Sequence, residues 1–446
     1  MIRRTLFDLK QRLGNRSALE LHGQLAAEER LSRDELERLA WKRRRAIVFH
    51  AYDQVPFYQR KYQRAGFHPN DLQDPADFAQ VPVLSKDELR VSFEELIAHD
   101  SRPGQRRLST TGGSTGVPVR VLFDRRVALE AFAWRVLDWW GLHASDHVGF
   151  VYRRTRRGAA QAVNQALWWP TRRLFLDAAA MTPARVGYFL HQLERLRPPL
   201  LQGYMGALAD LAGELETRGV RPDFLRAVWS TSTPLPASLR HKMERAFGCP
   251  VYDQYGCGEV FWLACECREQ AGLHVFASRR TIEAVDGQDR PQPAGEWGDL
   301  LITDHENRVF PIIRYRNGDR GRLLAGACPC GRSLPLMDSV KGRISDALRL
   351  PGGLTLSGEF LTTIFDDHPE AVQAFQVHQA ADGSLTLRCV PGDDARALRQ
   401  IELATAALQA RIGDSTHLRL ELVEHIGHDR GKTRFIISEL SHRHGD

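Results

Sequence analysis

Residues Ser109 to Pro118 read Ser-Thr-Thr-Gly-Gly-Ser-Thr-Gly-Val-Pro. Glycine lets a backbone approach a ligand closely. Successive amides in such a loop form a concave anion site, and Ser and Thr hydroxyls add donors. A polyphosphate suits it; a flexible linker is the plain alternative. The loop lacks the Gly-Lys-Ser/Thr ending of a Walker P-loop. A second stretch, Tyr252-Asp253-Gln254-Tyr255-Gly256-Cys257-Gly258-Glu259, reads as a strand end entering a glycine turn that displays a carboxylate. Ligands of open α/β sheets bind at the carboxyl ends of strands. A carboxylate there can hold Mg²⁺, which takes oxygen ligands and substrate phosphates. A surface turn is the alternative. A third stretch, Arg314-Tyr315-Arg316-Asn317-Gly318-Asp319, reads as a glycine turn between two strands. Asp319 beyond it could accept hydrogen bonds from both hydroxyls of a ribose, or the turn could be a plain connection.

Cysteine and histidine offer a separate chemistry. Cys267 and His274 stand in a C-x6-H pattern, and Cys328-Pro329-Cys330 follows much later. Three thiolates and one imidazole satisfy tetrahedral zinc. Reduced thiols packed as small apolar groups are the alternative, and Cys265 could replace Cys267. The seven cysteines are odd in number and clustered, which argues against a disulfide scaffold and for a reducing cytoplasm.

The elements that must position these residues read as α/β. Residues 16–66 are charged helices, with Ser32 capping Arg33-Asp34-Glu35-Leu36. Val148 to Tyr152 and Leu225 to Trp229 read as strands, as does the start Val251-Tyr252. Val186 to Leu196 and Leu239 to Phe247 read as helices. Strands alternating with helices imply much parallel sheet. Beyond Gly342 the pattern changes. Strands at Phe375–His378, Leu385–Arg388 and Leu418–Val423 flank a helix from Ala395 to Ile412. This predicts a large domain over residues 1–344 and a small α+β domain over 345–446, the latter of a size that can fold alone.

Composition narrows the function classes. The chain has 446 residues, 43% hydrophobic and 26% charged, which is ordinary for a globular protein. No apolar run approaches the roughly 20 residues of a membrane span. The start, MIRRTLFDLKQRL, carries basic residues without the apolar stretch of a secretory signal. The net charge of +6 favours anionic ligands without requiring nucleic acid. The basic runs Lys42-Arg43-Arg44-Arg45 and Arg153-Arg154 with Arg156-Arg157 are solvated faces or phosphate contacts.

Taken in order, the three glycine-containing stretches, Cys-Pro-Cys-Gly-Arg-Ser-Leu-Pro, Lys341-Gly342-Arg343-Ile344-Ser345-Asp346 and Gly431-Lys432-Thr433-Arg434 resemble the phenylacetate–CoA ligase-like branch of the adenylate-forming enzymes. Ala51 to Tyr58 and Val81 to Lys86 are similar to that branch's N-terminal signature. The resemblance spans about residues 35 to 440. It implies a large N-terminal adenylate-forming domain with mixed and parallel sheets, plus a small mobile cap. It implies that a carboxylic acid attacks ATP, giving an acyl-adenylate that a thiol, usually CoA, then captures. Thr111, Gly112, Gly113, Ser114, Thr115 and Gly116 would hold phosphates, and Glu259 would bind Mg²⁺. Asp253, Gln254 and Tyr255 would line the adenine and acyl sites. Asp319 would hold the ribose with Arg343 nearby, and Tyr204, Trp229 and Gly256 would border the acyl group. Lys432 would bridge carboxylate and α-phosphate, and Asp346 would be the hinge. The resemblance also supports structural zinc at Cys267, His274, Cys328 and Cys330.

Three positions depart from that branch. Val117 stands where lysine is usual, Thr233-Pro234 replaces a Gly/Ala-Glu pair, and Ser345-Asp346 replaces two acids. Trp134, Trp139, Trp140, Tyr204, Trp229 and Phe261 suit an aryl or other apolar acid, with core packing as the alternative. Gln202 to Gly206 falls where the branch places a substrate-site loop. Two further functions stay open: adenylation with transfer to a carrier protein, amine or sugar, and a nucleotide-binding scaffold without turnover. A cytoplasmic monomer or homodimer is expected.

Overall fold

The computed structural model describes residues 2–111, 119–152, 159–178, 181–340, 348–350, 355–356, 361, 364–365, 371–413, 416–426 and 436–440. The trace divides into two compact units. One joins Met1–Ala144 to Gln254–Val340, and the other joins Ser145–Asp253 to Lys341–Asp446. The strand Val251–Tyr255 carries the chain from one to the other.

The first unit opens with helices Ile2–Gly14, Arg16–Glu28, Arg33–Gln54 and Pro56–Arg64. Ser32 starts the long one with a capping box. Its hydroxyl accepts from the Glu35 amide at 3.2 Å, and the Glu35 carboxylate accepts from the Ser32 amide at 2.8 Å. Two otherwise orphaned donors are thereby satisfied. In the basic run on this helix Lys42 is exposed, while Arg43 and Arg44 turn to partners within the fold. Arg43 donates to Glu28 at 2.8 Å and to the Ser278 carbonyl at 3.1 Å. Arg44 pairs with Glu37 and lies over the Trp41 and Phe78 rings. The second basic run lies outside the described residues.

The long helix Arg33–Gln54 packs on an antiparallel sheet of Arg280–Val285, Gly298–Asp304 and Tyr315–Gly321. The third strand corrects the sequence reading, which made Arg314 to Asp319 a turn between strands. Tyr315 to Gly321 is one strand, bulged against its partner between Asp299 and Leu301. Gly318 supplies the left-handed conformation of the bulge, with φ of 87°. Two remote segments brace this strand. Leu84 exchanges backbone hydrogen bonds with Arg314 and Arg316 at 3.1 and 3.0 Å. The Tyr58 hydroxyl donates to the Pro311 carbonyl at 3.0 Å and accepts from the Ile313 amide at 3.2 Å. Arg314, almost fully buried, donates to the Ala79 and Val81 carbonyls and pairs with Glu283 at 3.1 Å. A second antiparallel pair, Arg106–Thr111 with Val119–Asp124, aligns Thr111 with Val119.

The second unit contains parallel strands in the order Val251–Tyr255, Ala227–Thr231, Leu200–Tyr204, Val148–Tyr152, Arg173–Asp177. Helices Ala159–Leu167, Pro183–Leu196, Met205–Arg218 and Ala237–Phe247 lie in the crossovers that parallel pairing requires. Gln202 to Gly206 is not a loop: the strand ends at Tyr204 and the helix starts at Met205. Gly203 is needed where these strands meet. A Cβ there would lie 2.7 Å from the Val151 carbonyl oxygen and 2.8 Å from the Val151 Cβ. Backbone cannot yield cheaply, so Gly203→Ala should destabilise the protein by about 1–3 kcal/mol. Urea denaturation should show a lower midpoint, and an unchanged one would contradict this packing.

The same unit holds a four-stranded mixed sheet in the order Leu418–Leu422, Leu385–Pro391, Val372–Gln379, Ile436–Ser438, with helix Ala397–Ile412. This is the α+β pattern expected of the small domain. Among the described residues, no helix is long and apolar enough to cross a membrane.

Candidate active site

At Tyr255 the strand gives way to a tight turn. The Cys257 amide donates to the Val260 carbonyl at 3.1 Å, and the Val260 amide donates back to the Cys257 sulfur at 3.3 Å. The turn carries Glu259 inward, leaving it only 7% exposed. Opposite it, the pleat of the bulged strand places Tyr315, Asn317 and Asp319 on its buried face, two residues apart. The Tyr315 hydroxyl donates to Glu259 Oε1 at 3.1 Å. The Tyr255 hydroxyl donates to Asp319 Oδ2 at 2.9 Å and accepts from Asn317 Nδ2 at 2.8 Å. Asn317 Nδ2 also donates to Asp319 Oδ2 at 2.6 Å. Tyr255, Glu259 and Asp319, proposed from sequence, therefore meet in one cluster. Tyr315 and Asn317 complete it. Sequence reasoning gave them no role, although both stand in the motif that carries Asp319.

The surroundings keep the neighbouring groups neutral. Burial, reinforced by Glu259, pushes the Cys257 thiol well up. Burial pushes the Tyr255 phenol well up, with Asp319 adding to it, and raises Tyr315, with Glu259 adding. Among the described residues Glu259 forms no ion pair. A buried carboxylate held only by a hydroxyl is costly without a cation, so this donor fits Mg²⁺.

The other expected site residues fall in several places. Gln254 pairs with Cys265 in an antiparallel ladder, and its side-chain amide lies across Gly256, 2.8 Å from where a Cβ would stand. In the parallel sheet, Val151, Gly203, Ser230 and Asp253 form one row at the carboxyl ends of neighbouring strands. Asp253 is buried there. Tyr204 is half-buried and meets Tyr152 edge-on at 4.8 Å. Trp229 is buried one residue before that row. Trp134, Trp139 and Trp140 belong to core contacts: with Phe7, with Phe276 and with the Glu266 carbonyl, respectively. Thr111 ends its strand, and its side chain is outside the described set. Gly112, Gly113, Ser114, Thr115, Gly116, Val117, Arg343, Asp346 and Lys432 lie outside the described residues.

Cys267, His274, Cys328 and Cys330 converge, with their ligand atoms all within 4.8 Å of one another. The Cys267 and Cys328 sulfurs are 3.6 Å apart, and Cys330 Sγ is 3.4 Å from His274 Nε2. A tetrahedron with zinc–sulfur bonds of about 2.3 Å has sulfur–sulfur edges of about 3.8 Å. Burial pushes His274 down to about 4, keeping it in the neutral form that ligates metal. The Trp139 ring packs edge-on against His274 at 5.5 Å. The set therefore fits zinc, and Cys267, not Cys265, is its member.

Residues 348–439 match the family model for the CapK C-terminal domain. The chain is 26% identical to phenylacetate–coenzyme A ligase of Thermus thermophilus, over 80% of this chain and 81% of that one. It is 27% identical to the Escherichia coli enzyme of the same name, over 73% and 75%. A crystal structure of 2-hydroxyisobutyryl-CoA ligase in the postadenylation state superposes with a TM-score of 0.76 at 21% identity, covering 92% of this chain and 91% of that one. The chain has the fold of the adenylate-forming CoA ligases. In the adenylate-forming fold of this chain, the CapK match coincides with the mixed sheet between Val372 and Ser438. The Glu259 and Asp319 cluster lies before it, in residues 254–340.

Proposed function

We propose that this chain is an AMP-forming acid–CoA ligase acting on an aryl or other apolar carboxylic acid. A carboxylate oxygen attacks the α-phosphorus of ATP, the bond to the β-phosphate oxygen breaks, and pyrophosphate leaves. The CoA thiolate then attacks the acyl carbon, and AMP departs with the bonding electrons. Such chemistry needs charge stabilisation more than a covalent nucleophile. One observation carries the reading: two buried carboxylates beyond one strand end, Glu259 bonded by Tyr315 and Asp319 bonded by Tyr255 and Asn317. The similarity to named phenylacetate–CoA ligases supports it.

In this reading Glu259 holds Mg²⁺, which when bound neutralises phosphate charge. Asp319 accepts from the ribose hydroxyls, with Arg343 nearby. Asp253, Gln254 and Tyr255 line the nucleotide, and Thr111 to Gly116 cradle the phosphates. Tyr204, Trp229 and Gly256 border the acyl group. Lys432 offsets negative charge as the two anions meet, and Asp346 is the hinge of a cap over residues 345–446. Cys267, His274, Cys328 and Cys330 hold a structural zinc. The enzyme works in the cytoplasm, as a monomer or homodimer.

The test is pyrophosphate release across a panel of carboxylic acids, with and without CoA. Release with at least one acid, and CoA-dependent thioester formation, is expected. Acyl-adenylate that accumulates unchanged by CoA, yet reacts with a carrier protein, amine or sugar, would shift the acceptor. No release with any acid would leave a nucleotide-binding scaffold.

A further inference from the structure

Tyr255 and Asp319 share a hydrogen bond of 2.9 Å, yet their strands belong to different sheets. Among the described residues, no backbone ladder joins Val251–Tyr255 directly to Tyr315–Gly321. The backbone connection runs the long way round. Past Gly321 and Arg322 the chain enters Leu323–Leu324, which pairs with Leu336–Met337. That strand pairs with Leu273–Val275, which pairs in turn with Ala264–Glu266. Ala264 and Cys265 finally face Tyr255 and Gln254. Each of these ladders is only two or three residue pairs long. Strands usually run to about five or six residues, and ladders this short are weak alone.

The cysteine and histidine ligands lie along this path. Cys267 follows the last residue of Ala264–Glu266, and His274 is the middle residue of Leu273–Val275. Cys328 and Cys330 sit in the connection from Leu323–Leu324 to Leu336–Met337. Two ligands thus come from the hairpin paired with Tyr255, and two from the segment that follows Asp319. Their ligand atoms converge within 4.8 Å. Cys267 and His274 are fully buried. Trp139, packed edge-on against the His274 ring, is itself held by donating to Glu29 at 2.8 Å. Outer contacts of this kind orient a metal ligand. A metal that only stiffened one hairpin would need no ligands from the other segment.

We propose that Cys267, His274, Cys328 and Cys330 form a clasp whose zinc fixes the placement of Asp319 against Tyr255, and thereby governs recognition of the nucleotide's ribose. The four are positioning residues that act through Asp319. The inference rests on the zinc and ribose assignments above and adds the dependence of one on the other. Metal binding that spans separate segments becomes part of the folding free energy that holds them together. A carboxylate accepts well from a hydroxyl only within a narrow range of distance and angle. Zinc removal leaves the short ladders to hold the two carriers, and Asp319 loses its fixed aim.

The test is calorimetric binding of AMP and of 2′,3′-dideoxy-AMP to the full chain, first zinc-loaded, then stripped and desalted, then reloaded. Zinc-loaded protein should bind AMP at least about tenfold more tightly than the dideoxy nucleotide, the worth of hydrogen bonding to a carboxylate. Stripping should close most of that gap by weakening AMP while dideoxy-AMP holds, and zinc should reopen it. Cys330→Ser should show the small gap without any chelator. Far-UV circular dichroism at the titration temperature, below the melting transition, checks that each sample is folded. A gap that persists in stripped protein overturns the inference and leaves both assignments standing. Equal weakening of the two nucleotides also overturns it, because general loosening does not single out the ribose hydroxyls. Zinc-loaded protein without a gap overturns it through the ribose assignment, and purified protein without zinc overturns it through the zinc assignment.

Discussion

Replacing Glu259 by glutamine should lower ATP-dependent pyrophosphate release roughly a hundredfold or more while leaving the fold at least as stable. Both halves follow from the same geometry. Glu259 is buried, accepts a hydrogen bond from Tyr315 at 3.1 Å, and forms no ion pair among the described residues. A buried carboxylate with no cation beside it is costly, so removing the charge should not weaken the fold. Glutamine keeps the shape and an oxygen for the Tyr315 hydroxyl but cannot neutralise a divalent ion. Losing one such electrostatic partner of a transition state typically costs about 10²–10³ in rate. A thermal melt alongside the assay separates the halves. An active variant would remove Glu259 from catalysis, and an inactive variant that melts much lower would make its role structural.

Stripping zinc should have the largest effect on stability. A metal present at about a thousand times its dissociation constant stabilises by about 4 kcal/mol. For a unit of this size that is roughly 10 °C in melting temperature. Protein purified without chelators should carry one zinc per chain by elemental analysis. Prolonged chelation, followed by calorimetry without ATP or Mg²⁺, should lower the midpoint, and added zinc should restore it. Cys328→Ser should melt low from the outset and gain little from zinc. If instead the thiols only fill space, metal content will be negligible and chelation will change nothing. The convergence of four ligand atoms within 4.8 Å makes the first outcome the expected one.

Much of the fold was legible because local signals agreed with the global structure. Ser32 and Glu35 announced a helix start, and the strand at Val148–Tyr152 was read to the residue. The Arg314 to Asp319 segment misled for a physical reason. Asn-Gly is among the strongest turn signals, yet Leu84 on one side and the Gly298–Asp304 strand on the other hold Tyr315 and Arg316 in the ladder, and pairing resumes at Arg320 beyond the bulge. The bulge at Gly318 satisfies the glycine without ending the strand. Cysteine spacing could not choose between Cys265 and Cys267. Cys265 pairs with Gln254 and His274 inside the ladder, whereas Cys267 follows the last strand residue and sits beside Cys328. Asn317 was passed over because its hydrogen bond to Asp319 is a matter of distance, which the sequence does not show.

The bracing of the Asp319 strand by Leu84, Val81 and Tyr58 has a consequence for anyone shortening this protein. Residues outside the cluster set the posture of the strand that carries Asp319. Trimming the first hundred positions to obtain a minimal catalyst would therefore release the Tyr315–Gly321 ribbon from its scaffolding. Such a fragment should bind nucleotide poorly even with every reacting side chain retained. Harmful natural variants at Tyr58 or Leu84 would pass for active-site lesions in an assay while lying in what looks like mere upholstery.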